Sequence, residues 1–361
     1  MNKEINWIER NQRNYLKDVL PLDTPYSIQI ETIRACNFKC VYCAYSSDKI
    51  QLYTMKLDTF TKAIKGLQKF NRKLKNFVFS GLGEPFLNKE LFKMIDLVND
   101  YTEITTVITN GSLLDKSNTD KFLQTSANEI RISLQGVTEE DYYKTCNYKI
   151  NFNNFVENIN YLYKNRGDKK VYLKIADISL DNEDKKNLFY KLFEDKADYL
   201  IIQKISPLQN VVDYNEIIND NSKGVYFENT QKSLVCPQPF FSMTICADGK
   251  VAPCCSLNLD SPTIGNINNN DIYEIWNDYN LKNLRVSMLN AKIESIDGCS
   301  SCVYPIYQYN KYDDIDDFRE ELLMKYRREE KRREEKRREE KRREEKRRVL
   351  VMFEYGFKKA A

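Results

Sequence analysis

Residues 27–43 read Ser-Ile-Gln-Ile-Glu-Thr-Ile-Arg-Ala-Cys-Asn-Phe-Lys-Cys-Val-Tyr-Cys. The first seven, Ser27–Ile33, form a β-rich run expected as a strand, and the chain passes from it directly into Cys36, Cys40 and Cys43, a CxxxCxxC triplet. Working outward, five more such runs follow: Phe77–Ser80, Thr105–Thr109, Glu129–Leu134, Val171–Ile178 and Leu200–Ile205. Between them apolar residues recur at helical spacing, as in Phe60, Ile64, Leu67 and Phe70, then Leu91, Phe92, Ile95 and Val98, then Phe152, Phe155, Val156, Ile159 and Leu162. Strands alternating with amphipathic helices predict an α/β fold with a parallel sheet. Right-handed crossovers would curl six such units into a partial (β/α)6, TIM-like barrel, with functional groups on the loops at the C-terminal ends of the strands. The cysteine triplet falls at such an end.

The chain has 361 residues, enough for one large core and a smaller satellite. Its 56 basic and 53 acidic residues leave a formal charge of +3, which gives no ground for a nucleic-acid or membrane partner. No apolar run approaches the roughly 20 residues that span a bilayer, and the first twenty residues, MNKEINWIERNQRNYLKDVL, are charged throughout rather than a secretory signal. A cytoplasmic location is expected, where the ten cysteines serve metal or redox chemistry rather than disulfides. Histidine is absent, so proton transfer falls to Lys, Tyr, Cys, Arg or a carboxylate.

Three thiolates on one loop can ligate three irons of a cubane cluster and leave the fourth iron open to a ligand. A zinc site or three incidental core cysteines is the other reading of the triplet; zinc would want a fourth ligand nearby, and the sequence offers none close by. The triplet resembles that of the radical S-adenosylmethionine (radical SAM) superfamily. That resemblance implies a [4Fe-4S] cluster on Cys36, Cys40 and Cys43 whose open iron chelates S-adenosylmethionine, and reductive cleavage to methionine and a 5′-deoxyadenosyl radical. Tyr42 matches the aromatic position beside adenine. Ser80-Gly81-Leu82-Gly83-Glu84-Pro85 is similar to the family's GGE segment, with Leu82 in place of a glycine, and implies that Gly83 and Glu84 receive the methionyl ammonium. Standing alone, such a segment is more often a tight turn. Ser133, in Ser133-Leu-Gln135-Gly136, resembles the position that reaches ribose or carboxylate, and Thr109-Asn110-Gly111 ends the third strand. Lys174, Asp177, Gln203 and Lys204 lie on the last two strands, where substrate groups could bind.

After about Pro207 the βα rhythm stops and Cys236-x17-Cys254-x44-Cys299-x2-Cys302 follows. Four thiolates saturate a cluster, which suits electron transfer or structural support; a four-cysteine zinc ribbon uses the same ligand types. The arrangement resembles the shortened SPASM, or twitch, module, which implies one auxiliary [4Fe-4S] cluster. Cys255 competes with Cys254 by spacing, and the glycine at 249 followed by four residues favours Cys254 by the same resemblance. Cys246 and Cys255 are expected in the core. Cys146 is either a packing residue or, as in some radical epimerases, a hydrogen donor.

The expected organisation is an N-terminal extension (1–25), the partial barrel (26–210), a cysteine-rich auxiliary-cluster domain (211–312) and a charged low-complexity helix with its tail (313–361). The RREEK repeat over Tyr326–Arg348 predicts a solvated helix without an apolar stripe, most simply an inert spacer, and the short apolar tail beyond it either docks locally or frays. The implied activity is hydrogen abstraction from an unactivated carbon, then oxidation or rearrangement, with a low-potential flavodoxin- or ferredoxin-type electron donor. Two substrate classes compete: a sugar- or cyclitol-like small molecule and a ribosomal peptide. About 35 residues before Cys36 are few for a leader-peptide domain, which leans to the small molecule. A zinc-stapled, non-catalytic binding protein and a scaffold role for the charged helix are the readings from other classes.

Overall fold

The computed structural model describes residues 14–47, 50–255 and 260–358; the charged extreme N-terminus and the last three residues of the tail lie outside them. The chain up to Asp316 forms one unit and the chain from Asp317 another. In the first, six strands are parallel neighbours in chain order: β1 (Ser27–Ile30), β2 (Asn76–Phe79), β3 (Thr105–Thr109), β4 (Glu129–Leu134), β5 (Lys170–Ala176) and β6 (Tyr199–Gln203). Helix α1 (Leu16–Val19) precedes them. The crossovers carry α2 (Leu57–Lys65), α3 (Leu91–Leu97), α4 (Lys116–Gln124), α5 (Glu139–Cys146) with α6 (Phe152–Asn165), and α7 (Glu183–Phe193). This is the TIM-like α/β arrangement that the strand–helix rhythm predicts. Four of these helices start on side-chain caps: Asp115, Thr138, Asn151 and Asn182 each accept the backbone N–H three residues on.

Strand pairing sorts the side chains into two faces, because neighbours along a strand point to opposite sides. Ile28, Phe77, Ile30, Phe79, Val107, Ile130, Val171 and Leu173 fall in register on one face and are fully buried under the helices. The opposite, inner face is mixed and richer in polar groups: Gln29, Val78, Thr106 and Glu129 share one row, Ile108, Arg131 and Tyr172 the next, and Ser133, Lys174 and Ile201 the third.

Four strands differ from expectation at their ends. β1 stops at Ile30, not Ile33: Glu31 N–H still donates to the Ile245 carbonyl, but Ile33 bridges Thr54 and Arg34 N–H donates to the Tyr53 carbonyl, which turns the chain off the sheet into the cysteine loop. β5 ends at Ala176 because Asp177–Ser179 form a 3-10 turn, with the Asp177 carboxylate accepting Ile178 and Ile205 N–H. β2 and β6 are shifted one residue toward the N-terminus at their starts, and β6 ends at Gln203.

The later, cysteine-rich segment joins the same sheet. β7 (Ser242–Ile245) pairs parallel to β1, and β8 (Lys250–Ala252) and β9 (Gly265–Asn266) continue antiparallel, giving the order β6-β5-β4-β3-β2-β1-β7-β8-β9. Around them lie α8 (Gln238–Phe241), α9 (Ile272–Asn277), α10 (Tyr279–Leu289) and α11 (Tyr304–Tyr307). Gly249 closes the β7–β8 hairpin with φ +88°, a left-handed value that disfavours a side chain, and a Cβ there would stand 2.6 Å from Asn268 Nδ2.

The second unit is one helix, α12 (Arg319–Lys358), longer at both ends than the repeat alone predicts. Arg338–Glu334 and Arg343–Glu339 pair one turn apart on its exposed surface. Among the described residues no helix is long and apolar enough to cross a membrane.

Candidate active site

The cysteine loop is held from behind by α5. Lys39 N–H donates to the Cys146 carbonyl and Val41 N–H to the Thr145 carbonyl, both at 2.9 Å. Cys146 is fully buried there; its thiol donates to the Tyr142 carbonyl at 2.9 Å and also contacts Cys40. Within the loop, Cys43 N–H donates to the Cys40 carbonyl and Phe38 N–H to Cys36 Sγ. Two side chains from the strand ends reach the sulfurs. Asn110 Nδ2 lies 3.9 Å from Cys36 Sγ and donates to Asn37 Oδ1 at 2.9 Å. Gln135 Oε1 accepts from the Cys40 thiol at 3.5 Å and from the Tyr42 hydroxyl. Burial pushes Cys36 up to about 11 and raises Cys43, while contact with Cys146 and then burial raise Cys40. Thiols held this high bind metal by exchanging their protons for it.

Gly83 serves the packing of two loops. A Cβ on it would stand 2.1 Å from the Ile33 carbonyl oxygen and 2.7 Å from that of Ala35, and Glu84 N–H donates to the Ala35 carbonyl at 2.8 Å. The glycine thus lets the β2 end lie directly on the cysteine loop. Gly83→Ala is expected to force the loops apart, costing about 2 kcal/mol or more, seen as a lower denaturation midpoint together with iron that is lost more readily on gel filtration. The Glu84 carboxylate is buried and accepts from Thr109 Oγ1 at 2.6 Å, Asn110 N–H at 2.7 Å and Phe86 N–H at 3.1 Å. Burial pushes it up to about 7 against the pull of these three donors. Glu84 therefore fixes Asn110, which faces Cys36.

A residue outside the sequence-level candidates connects the segments. The Glu31 side chain is buried and accepts from Arg34 Nε and its terminal nitrogen, from Leu82 N–H and from Ala247 N–H. One carboxylate thus joins the cysteine loop, the Gly81–Glu84 turn and the β7–β8 hairpin. An acidic residue ending an apolar strand, three residues before an arginine, is the only sequence signal it leaves.

Ser133 is half-buried on the polar inner face, and its carbonyl accepts from Gln135 Nε2. Of the other polar residues on the last strands, Asp177 and Lys204 face each other at 3.8 Å, a pairing that accounts for both.

The later cysteines divide. Cys236, Cys254, Cys299 and Cys302 line one cavity, together with Gln238 and Tyr304. Cys255 donates to Gln238 Oε1 at 3.3 Å and lies 2.9 Å from the Tyr304 hydroxyl, two side chains of that same cavity wall. Cys246 sits half-buried beside Glu31 and Arg34. Cys246 and Cys255 are half-buried rather than fully in the core, and each has a polar neighbour that accounts for its place at the core's edge.

Residues 30–182 match the radical SAM superfamily, and residues 236–303 match SPASM, an iron-sulfur cluster-binding domain. The chain is a radical SAM protein with a SPASM domain. The GTP 3′,8-cyclase of Staphylococcus epidermidis is 27% identical to it over 164 residues, 43% of this chain and 47% of the cyclase. The chain thus spans about half the length of that curated relative. Among solved structures, anSMEcpe with bound AdoMet superposes with a TM-score of 0.57 at 19% identity, covering 73% of this chain and 81% of that one. BtrN in complex with AdoMet and 2-DOIA gives 0.50 at 18% identity, covering 80% and 98%. At these identities the likeness is one of fold.

The donor chemistry of both cysteine sites fits iron-sulfur clusters. Each offers thiols without a carboxylate among them, three on one short loop and four around one cavity. Among the described residues no three cysteine or acidic side chains converge on a point that would hold a single ion.

Proposed function

We propose that this chain cleaves S-adenosylmethionine reductively at a [4Fe-4S] cluster held by Cys36, Cys40 and Cys43, and abstracts hydrogen from an unactivated C–H bond of a small, sugar- or cyclitol-like molecule that it then oxidises or rearranges. The observation that carries the reading is the division of the thiols into a loop of three and a cavity of four. Three ligands leave one iron open to S-adenosylmethionine; four saturate an auxiliary [4Fe-4S] cluster, on Cys236, Cys254, Cys299 and Cys302, suited to accept the second electron of an oxidation. When bound, the cofactor supplies the 5′-deoxyadenosyl radical, and the protein supplies its placement.

In this reading Tyr42, pinned by Gln135, lies beside adenine. The backbone of Gly83 and Glu84, seated on Ala35, receives the methionyl ammonium, and Ser133 on the inner face reaches the ribose or carboxylate. Cys146 backs the cysteine loop. What supports a small polar substrate is the inner face itself, with Thr106, Ser133, Lys174 and Gln203 turned to it. The electron comes from a low-potential flavodoxin or ferredoxin, and the enzyme works in the cytoplasm, where thiols stay reduced.

The test uses dithionite-reduced, reconstituted full-length protein with S-adenosylmethionine and a perdeuterated aminocyclitol or hexose. Deuterium is expected in the 5′-deoxyadenosine released. Transfer from a deuterated peptide but from none of the small molecules would move the substrate to the peptide class, and no deoxyadenosine under any condition would reject the radical reading.

A further inference from the structure

The stretch between β6 and Cys236 leads from the last barrel strand to the first auxiliary cysteine, and on its way it touches the cysteine loop. Its path is set by its own turns. Ile205 N–H donates to the Asp177 carboxylate, Val212 N–H to the Gln209 carbonyl, and Ile217 and Ile218 N–H to the Tyr214 carbonyl. The half-buried Tyr214 then donates from its hydroxyl to the Tyr42 carbonyl at 3.0 Å, joining residues 172 positions apart. Among the described residues no other donor reaches that carbonyl.

Tyr42 is thus held at both ends. Its hydroxyl donates to Gln135 Oε1, and the Gln135 carbonyl accepts from the buried Ser179 hydroxyl at 2.9 Å. The barrel therefore fixes the ring end of Tyr42, while the strap from β6 fixes its backbone end. Loss of either bond leaves the residue free to pivot on the other.

Four residues before Tyr214, the same strap is tied to the auxiliary domain. Asn210 Nδ2 donates to Asp260 Oδ2 at 2.7 Å. The Asp260 carbonyl in turn packs on Gly298, where a Cβ would stand 1.8 Å from its oxygen, and Gly298 lines the four-cysteine cavity beside Cys299. The Asn210 bond is exposed and adds little stability by itself; its use is to fix where the strap lies. One short run of chain therefore contacts both the loop that bears Tyr42 and the loop that leads to Cys299.

We propose that Tyr214 is a positioning residue for S-adenosylmethionine: it seats Tyr42 beside adenine from the strap between the domains, so that the auxiliary-cluster loop, through Asp260 and Asn210, sets how tightly the first site binds its cofactor. This rests on the reading of Tyr42 as the residue beside adenine. Coupling of this kind is reciprocal: what a seated strap contributes to cofactor affinity, bound cofactor contributes to seating the strap.

The experiment is calorimetric binding of S-adenosylmethionine to unreduced, reconstituted full-length protein, with iron counted on each sample. Tyr214→Phe is expected to keep the parent's iron and to bind about fivefold more weakly, the effect of one hydrogen bond. Asn210→Ala should weaken binding about threefold, and should add nothing in the Tyr214→Phe background, because both residues act through one strap. Amide exchange over residues 209–218 should slow when S-adenosylmethionine is added to the parent and stay unchanged in Tyr214→Phe, a response that a general loss of stability does not produce. Tyr42→Ala separates the two readings. If it binds weakly while Tyr214→Phe matches the parent, the strap proposal is overturned and the adenine reading stands; if both match the parent, both are overturned. Additive losses from Asn210→Ala and Tyr214→Phe would overturn the link to the auxiliary domain. Neither readout needs cofactor cleavage, so each stands apart from the deoxyadenosine assay.

Discussion

Cys36→Ala, reconstituted anaerobically and reduced with dithionite, is expected to release no 5′-deoxyadenosine above background, while iron falls from about eight to about four per chain. The reason is local. Cys36 sits where the chain turns off β1, with Phe38 N–H and the Asn110 amide aimed at its sulfur; histidine is absent from the sequence, and the neighbouring thiol of Cys146 is buried behind the loop and donates to the Tyr142 carbonyl. Two thiols remain, too few to hold a cluster that already leaves one iron unligated. The auxiliary site provides the complementary result. Cys254→Ala should remove the other half of the iron, because Cys254 lines the cavity with Cys236, Cys299 and Cys302, whereas Cys255→Ser should leave iron unchanged, since Cys255 points to Gln238 and Tyr304. Stoichiometric zinc in place of iron, with Cys36→Ala unfolded rather than inactive, would instead mark a metal-stapled binding protein.

The second large effect is expected at Glu31, a positioning residue. Glu31→Ala strips the partner from Arg34 and from two buried N–H groups, at Leu82 and Ala247, and should destabilise the protein by about 3 to 5 kcal/mol, the range for breaking one side of a buried ion pair. Glu31→Gln keeps the shape but must turn its amide toward a donor, so it should lose a good part of that amount as well. Denaturant midpoints at constant slope measure the change. Because Glu31 binds the turn that carries Gly83 and the hairpin that carries Cys246, both variants should also release iron faster than the parent. A midpoint within experimental error of the parent would mean that the three segments are held by packing alone.

What the sequence by itself determined was local. The period of the apolar residues placed the six parallel strands and their crossover helices in order, because each element's own pattern reports which face it buries. β3 and β4 begin and end where their β-rich runs do. The cysteine triplet was equally legible, since its spacing is carried within a few residues of chain, whereas the four later cysteines, spread over 236–302, were grouped only through a resemblance. Strand ends were less so: whether Glu31–Ile33 continue the ladder depends on Ile245, Tyr53 and Thr54 arriving from elsewhere.

Only the tertiary structure decided which residues separated along the chain meet. β7 lies beside β1, so the cysteine-rich segment extends the barrel sheet although its sequence breaks the βα rhythm. Glu31 reaches Ala247 across 216 residues, and Gly83 is required by the carbonyls of Ile33 and Ala35. Cys255 is placed by Gln238 and Tyr304, which come to it from 17 and 49 residues away, and Asp177, just past β5, meets Lys204, just past β6. Spacing along a chain fixes what a segment can become. Hydrogen bonds, close approaches and counter-charges depend on what the rest of the chain brings to it in space.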